Sequence, residues 1–131
     1  MSFMKNETEL WLNYAVENYQ SAQILMESHL YNPALQNIQQ SIEKNLKALF
    51  IEYGIKQKKT HNIVILIETL NQHDKQINIS DDEMDLIDSI YLSSKYPIGS
   101  ALPDFEPDMA ICKKCLEIAH RVKESADYYL S

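Results

Sequence analysis

The spacing of apolar residues between positions 34 and 53 constrains the fold more than any other feature of the sequence. Apolar side chains recur there every three or four residues, at Leu35, Ile38, Ile42, Leu46, Leu49 and Tyr53. This repeat is typical of a helix with one buried face. Asn32 as N-cap and Pro33 as first helical residue suit its start, and Gly54 suits its C-terminal cap. The pattern therefore predicts a helix that ends at Tyr53.

Similar spacing on both sides of this segment predicts four further helices, each begun by a polar residue. Asn6 and Thr60 are the expected N-caps of the first and third helices. Ser80 and Glu83 would form a capping box at the fourth helix, and Asp104 would cap the last. The chain has only 2 glycines, and no alternating run of β-branched residues suggests a strand. We expect one domain over residues 1–131, an all-α, up-and-down bundle of four to five helices.

Charge and hydropathy narrow the classes of function. A net charge of −7 disfavours proteins that wrap nucleic acid by bulk electrostatics, because that binding depends on many lysines and arginines. The first residues show no signal-peptide pattern, and no window approaches the ~18 apolar residues of a membrane span. We therefore expect a cytoplasmic protein that does not contact a membrane.

Two short motifs raise the question of a metal or redox site. Cys112 and Cys115 form a C-x-x-C pair, and Glu117 and His120 have the spacing of one half of a carboxylate metal site. Neither motif has the second pair that such sites need. The cysteines are expected to be buried as small apolar residues, and we predict no metal and no cofactor.

The segment after the second helix concentrates positive charge in an acidic chain. The candidate contact residues for a nucleotide, RNA or a partner protein are Lys56, Lys58, Lys59, His61, Lys95 and Tyr96. Either the loop binds an anion beside the start of a helix, or it is a solvated connection in which Thr60 caps the third helix and His61 packs against the second. The last two candidates would add a charge and a stacking ring if the fold brings them near the loop.

Two other groups of residues bear on the surface of the bundle. Glu43, with Lys44 or Lys47, is expected to form an ordinary charged pair on an exposed helix face. The chain also contains 8 tyrosines, a residue type that is enriched at protein interfaces. We therefore expect an oligomer.

Three motifs occur in order along the chain. Residues 39–49 read QQSIEKNLKAL; Thr60, His61 and Asn62 follow a glycine and a short loop; and residues 91–97 read YLSSKYP. Together they resemble the HEPN domain family (higher eukaryotes and prokaryotes nucleotide-binding), over roughly residues 8 to 129. The family has a Glu-Lys-x-Leu-Lys-Ala-Leu run, a Thr-His-Asn or Thr-His-Asp helix start, and a Tyr-x-x-x-Arg-Tyr-Pro element. Lys95 stands at the arginine position of the last motif.

The resemblance implies a helical bundle that is commonly a homodimer and is often the partner of a minimal nucleotidyltransferase in toxin–antitoxin systems. It implies ribonuclease activity where an Arg-x(4–6)-His motif is present. Arg121 is the only arginine, and no histidine follows it. We predict no catalytic residues and a non-catalytic module that binds a nucleotide, a nucleotidyltransferase partner, or both. The alternative is a divergent ribonuclease of the same fold.

Overall fold

A computed structural model describes residues 4–57, 59–95 and 106–131, without the side chains of residues 94 and 95. The described chain contains five helices and no strand: α1 (Asn6–Glu27), α2 (Tyr31–Glu52), α3 (Ile63–Gln72), α4 (Asp81–Lys95) and α5 (Met109–Leu130). The expectation of an all-α bundle is confirmed. Among these helices, none is long and apolar enough to cross a membrane.

Helices α1 and α2 form an antiparallel hairpin. The start of α1 meets the end of α2, where the backbone N–H of Lys5 and the hydroxyl of Thr8 both donate to Glu52, at 3.0 and 2.9 Å. Further along, the Asn18 amide donates to Asn37 Oδ1 at 2.9 Å. The remaining helices pack around α2, so that α2 contacts all the others.

Because α2 lies at the centre, it is buried on more than its apolar stripe. The stripe is buried as predicted, except that Tyr53 is 43% exposed. Polar residues on its other faces are buried as well, each about 1% exposed: Gln39, Ser41, Glu43 and Asn45. Buried polar groups need hydrogen-bond partners, and two of these residues, Gln39 and Glu43, bond to His61 of the loop that follows α2.

Two of the predicted helix ends are confirmed. Gly54 follows α2 in the left-handed conformation, with φ of +62°, and the Ile55 N–H donates to the Phe50 carbonyl at 2.9 Å. This is the hydrogen-bond pattern of a helix that ends at a glycine. At α4, the Ser80 N–H donates to Glu83 Oε1 at 2.9 Å and the Glu83 N–H donates to Ser80 Oγ at 3.2 Å. These reciprocal bonds form the predicted capping box.

The predicted starts of α1 and α2 are wrong. Asn6 is already helical, and Lys5 occupies the N-cap position without a side-chain cap. The bond from Lys5 to α2 replaces the local cap that the sequence suggested. Helix α2 begins at Tyr31, so Asn32 is not its cap and Pro33 is its third residue rather than its first. Proline is tolerated there because the N–H groups of the first turn have no partner within the helix.

The N-caps of α3 and α5 also differ from the prediction. Asn62, not Thr60, caps α3 and accepts from the Ile65 N–H at 3.1 Å, while Thr60 Oγ1 accepts from the Asn62 N–H at 3.0 Å. Asp108 caps α5. The predicted cap, Asp104, lies outside the described residues.

The cysteines of α5 belong to the core, as predicted. Cys112 and Cys115 are 0% and 1% exposed. Burial raises the pKa of the Cys112 thiol to about 11 and that of Cys115 to about 12. Both side chains are therefore protonated thiols at neutral pH and pack as small apolar groups.

Candidate functional site

The loop between α2 and α3 is fixed at both ends and exposed in between. Ile55 and Ile63 are buried at its two ends, whereas Lys56 and Lys59 are exposed. The His61 side chain is 67% exposed, yet its ring nitrogen reaches a buried partner on α2. The loop therefore holds positive side chains at the surface on a constrained backbone.

The buried partner is the carboxylate of Glu43, whose residue is 1% exposed. Lys47 Nζ lies 2.8 Å from Glu43 Oε1, and His61 Nδ1 lies 2.9 and 3.0 Å from its two oxygens. The side-chain amides of Gln39 and Gln40 each donate to Oε2 at 3.4 Å. A buried carboxylate is tolerated only when it is paired and hydrogen-bonded in this way.

These partners decide the charge of Glu43. Burial by itself would raise the pKa of this carboxyl, but the hydrogen bonds from Lys47 and His61, and the charges of both groups, outweigh burial and hold the pKa below its usual value. Glu43 is therefore a carboxylate at neutral pH and orients two cationic or potentially cationic side chains of the adjoining surface.

Two further contacts secure the loop where it enters α3. Gln39 Nε2 donates to the His61 carbonyl at 3.1 Å. Asp88 of α4 accepts from the N–H groups of Ile63 and Val64, at 3.0 and 3.4 Å. Burial raises the pKa of Asp88, although these two hydrogen bonds act in the opposite direction. The first N–H groups of α3 are thus already occupied by a carboxylate of the protein and are not free to bind a ligand.

Two clefts adjoin the loop, with His61 in the wall of each. The first, here called the basic cleft, has a volume of about 270 Å³ and is lined by Lys47, Gln57, Lys59, Thr60 and His61. The second has a volume of about 120 Å³ and is lined by His61, Asn62, Asp88, Tyr91 and Leu92. Among the residues that the structure describes, the lining of the basic cleft includes two lysines and no carboxylate, whereas that of the second cleft includes Asp88 and apolar surface. The basic cleft is therefore the one that suits an anion.

The structure brings together only part of the predicted set. Lys59 and His61 line the basic cleft, and Lys56 is exposed in the same loop without being part of that lining. Lys95 ends α4, but its side chain, like Lys58 and Tyr96, lies outside the described residues. That Lys58 contacts a ligand, and that Lys95 and Tyr96 add a charge and a stacking ring, stays a prediction.

Sequence reasoning missed Lys47 and misjudged Glu43. The expectation of an ordinary exposed pair is wrong, because Glu43 is buried and Lys47 lines the cleft. His61 does contact α2, but through a hydrogen bond to Glu43 while most of its ring remains exposed. The available signal was the glutamine pair at positions 39 and 40 one turn before Glu43, since two amides beside a carboxylate on one helix can satisfy its burial.

The two residues considered for a metal, Glu117 and His120, each lie beside another residue of α5, and Glu117 Oε1 is 3.6 Å from Arg121 Nε. His120 Nε2 lies 3.5 Å from Glu124 on the same helix, and both side chains are more than half exposed. Within the described ranges, no group of three or more histidine, cysteine, aspartate or glutamate residues is arranged to hold a metal ion.

Arg121 connects two helices. Its Nη1 donates to Glu83 Oε1 at 2.9 Å, its Nη2 pairs with Glu83 Oε2, and Nη1 also lies 3.3 Å from the Asn78 carbonyl. The guanidinium hydrogen bond, together with the Ser80 N–H, holds the pKa of Glu83 at about 2. The only arginine of the chain is thus committed to joining α5 to the start of α4.

The protein is thus an all-α bundle with a basic cleft between its second and third helices. The sequence matches the HEPN domain family over residues 8–127. The chain therefore belongs to the HEPN domain family. No curated protein sequence matches it significantly.

Two solved structures share the fold. An archaeal HEPN homologue, ST0689, is 22% identical, with a TM-score of 0.70, and the alignment covers 95% of this chain and 98% of that one. TT1696 from Thermus thermophilus is 20% identical, with a TM-score of 0.72 and the same coverage. At these identities the similarity establishes the common bundle and nothing about a shared activity.

Proposed function

We propose that this HEPN domain is a non-catalytic module that binds the phosphate of a nucleotide in the basic cleft. The observation that carries the proposal is the arrangement around Glu43. One buried carboxylate positions both Lys47 and His61, and Lys59 completes a cationic lining with the polar groups of Gln57 and Thr60. Lysine is a common phosphate ligand because its ammonium carries three donors and a compact charge.

The proposal includes no cleavage by this chain. The family's ribonuclease motif requires an arginine. Arg121 is the only arginine of this chain, and it pairs with Glu83. From its membership of the HEPN family, we further propose that the chain is a homodimer whose partner is a minimal nucleotidyltransferase, within a toxin–antitoxin system in the cytoplasm.

A divergent ribonuclease is the second candidate, and one contact favours it. A carboxylate hydrogen-bonded to one nitrogen of a histidine ring orients the other nitrogen, and such pairs occur in acid–base catalysis. Glu43 and His61 form this kind of pair beside the basic cleft. Purified protein and its His61→Ala variant, incubated with labelled RNA, distinguish the candidates. If the wild type cleaves the RNA and the His61→Ala variant does not, the protein is a ribonuclease and not a non-catalytic binding module.

The binding proposal is tested by calorimetric titration of the protein with ATP. Lys59→Glu is expected to weaken ATP binding at least about tenfold, because it reverses a charge in the cleft wall. Lys114→Glu, an exposed lysine on α5, is the matched control and is expected to bind like the wild type. Equal affinity of Lys59→Glu and wild type would overturn the assignment of the cleft.

The partner is tested separately, by purifying the tagged protein from its native cells and identifying the proteins that accompany it. Co-purification of a nucleotidyltransferase in stoichiometric amount is the expected result. Recovery of the chain alone would remove the two-component arrangement and leave the binding cleft untouched.

A further inference from the structure

The outward face of α5 carries a row of four ionisable side chains. Lys113, Glu117, His120 and Glu124 follow each other at intervals of four, three and four residues, and this spacing places them on one face of the helix. The side chains of Glu117, His120 and Glu124 are 70%, 58% and 64% exposed, and Lys113 is exposed as well. We call these four residues the α5 row.

Within one molecule, the α5 row has only weak ionic contacts. His120 Nε2 lies 3.5 Å from Glu124 Oε1, and Glu117 Oε1 lies 3.6 Å from Arg121 Nε, so both contacts stay within α5. Among the residues that the structure describes, Lys113 takes part in no ion pair. Exposed pairs of this kind contribute little to stability, so their side chains can turn toward another molecule at little cost.

The order of the residues in the α5 row is self-complementary in one orientation. The intervals of four, three and four residues are the same in both directions, so two antiparallel α5 helices can align their rows residue by residue. Lys113 of each copy then lies opposite Glu124 of the other, and Glu117 lies opposite His120, whose ring N–H can donate to a carboxylate. A parallel pair would instead place Lys113 opposite Lys113, which is repulsive.

The same alignment covers the most exposed large hydrophobic side chain of the described chain. That side chain is Tyr128, which is 75% exposed and follows Glu124 by four residues on α5. In the antiparallel alignment it falls beside Met109 and Ala110 of the second copy, at the start of that copy's α5. Tyrosine suits such a position, because its ring is apolar and its hydroxyl can stay in contact with water.

Apolar surface also lies beside the α5 row, in a shallow cleft between α1 and α5. The cleft has a volume of about 380 Å³ and is lined by Tyr19, Lys113, Leu116, Glu117 and His120. The Tyr19 and Leu116 side chains are only partly buried against the core of the bundle. A helix packed on the α5 row would remove part of this apolar surface from water, which adds a hydrophobic contribution to the charge pairs.

We infer that the α5 row is a self-association surface, on which the α5 helix of a second copy packs in antiparallel orientation about a two-fold axis. Symmetry makes each contact between unlike residues occur twice, so the rows form two Lys113–Glu124 pairs and two Glu117–His120 pairs. The inference rests on the homodimer of the proposed function and adds the surface that forms it. It does not depend on a nucleotide in the basic cleft.

A second copy suits the α5 row better than a partner of one charge. A strongly acidic segment would meet Glu117 and Glu124, and a strongly basic one would meet Lys113. Two copies with a net charge of −7 each do repel at long range. At physiological ionic strength, however, charges more than about 8 Å apart are largely screened, whereas the paired side chains act at contact distance.

The test is a charge exchange between two variants, with the dissociation constant of the dimer measured by analytical ultracentrifugation of the full chain. Lys113→Glu and Glu124→Lys are each expected to weaken the dimer at least about tenfold, because each creates two like-charge contacts in the symmetric pair. An equimolar mixture of the two variants is expected to form a heterodimer with a dissociation constant within about threefold of wild type, because opposite charges again face each other.

Glu68→Lys is the matched control. It reverses an exposed carboxylate on α3, away from α5, and is expected to dimerise like the wild type. Circular dichroism shows whether each variant is folded, and recovery of the dimer on mixing requires that both are.

The outcomes separate this inference from the proposed function. If Lys113→Glu and Glu124→Lys dimerise like the wild type, the α5 surface is overturned and the homodimer forms elsewhere on the molecule. If each variant is monomeric and the mixture stays monomeric, the two rows do not face each other and the inference is overturned. A wild-type chain that is monomeric at every concentration would overturn both the α5 surface and the homodimer, whereas nucleotide binding is decided by the ATP titration alone.

Discussion

The carboxylate of Glu43, on the central helix of the bundle, lies 2.9 Å from the ring nitrogen Nδ1 of His61, on the loop that leads into α3. The carboxylate is buried and the ring is largely exposed, so the pair joins the interior of the bundle to its surface. Lys47 shares the same carboxylate at 2.8 Å. Glu43 thereby fixes two side chains of the basic cleft from within the core.

Replacing Glu43 by glutamine is expected to destabilise the protein by about 1–3 kcal/mol. The reason is that Gln39, Lys47 and His61 lose a charged acceptor. Urea denaturation of wild type and variant measures this difference. Glu117→Gln is the control, since that side chain is 70% exposed, and it is expected to stay within about 0.5 kcal/mol of wild type. A Glu43→Gln variant as stable as the control would show that the Glu43 network does not stabilise the loop.

The Glu83–Arg121 pair predicts a specific acid sensitivity. The pKa of Glu83 is lowered from 4.5 to about 2 in the folded protein, chiefly by the hydrogen bond from Arg121. The unfolded chain therefore binds the proton first, so the contribution of Glu83 to stability is present above about pH 4.5 and is lost as the pH falls toward 2.

The measurement is urea denaturation of wild type and Glu83→Gln at a series of pH values between neutral and acid. The stability difference between the two is expected to be largest at neutral pH and to shrink as the pH falls through this window. A difference that stays constant with pH would contradict the assignment of the lowered pKa to Glu83.

The N-cap of α3 can be located by two alanine variants. Asn62→Ala is expected to cost about 1 kcal/mol of stability, because it leaves the Ile65 N–H without its acceptor. Thr60→Ala removes only an acceptor within the preceding loop and is expected to cost less. Thermal denaturation of both variants measures the order, and a larger loss for Thr60→Ala would place the helix start where the sequence pattern alone put it.

The buried cysteines predict slow alkylation of the native protein. Because burial raises the pKa of Cys112 to about 11 and of Cys115 to about 12, few thiolates are present near pH 8. Iodoacetamide is expected to modify neither residue in the folded protein and both in urea, as read by mass spectrometry. Rapid labelling of Cys115 without denaturant would mean that α5 is not packed as described.

The bundle could be predicted from the sequence because the apolar stripe of a helix and the glycine that ends it are local properties of the chain. The stripe from Leu35 to Leu49 and the glycine that ends α2 follow from side-chain periodicity and from the freedom of one residue to adopt a positive φ. Helix starts were less predictable. Lys5 begins α1 with a bond to Glu52, a partner 47 residues away, and no local pattern encodes it.

The site was predictable only in part, for the same reason. The lysines and His61 stand out as a cluster of charge along the chain, and two of them do line the basic cleft. Glu43 and Lys47 resemble any i, i+4 pair until the packing of four helices around α2 is known. Burial on all sides converts an ordinary surface carboxylate into the residue that organises the cleft.

A two-dimensional NMR titration of isotope-labelled protein with ATP tests most directly whether the basic cleft binds the phosphate of a nucleotide. Binding of a phosphate in the basic cleft is expected to give saturable shifts of the backbone amides of Gln57, Lys59, Thr60 and His61, with the amides of α5 around Lys114 unmoved. Shifts confined to other surfaces, or no shifts at saturating ATP, would contradict it.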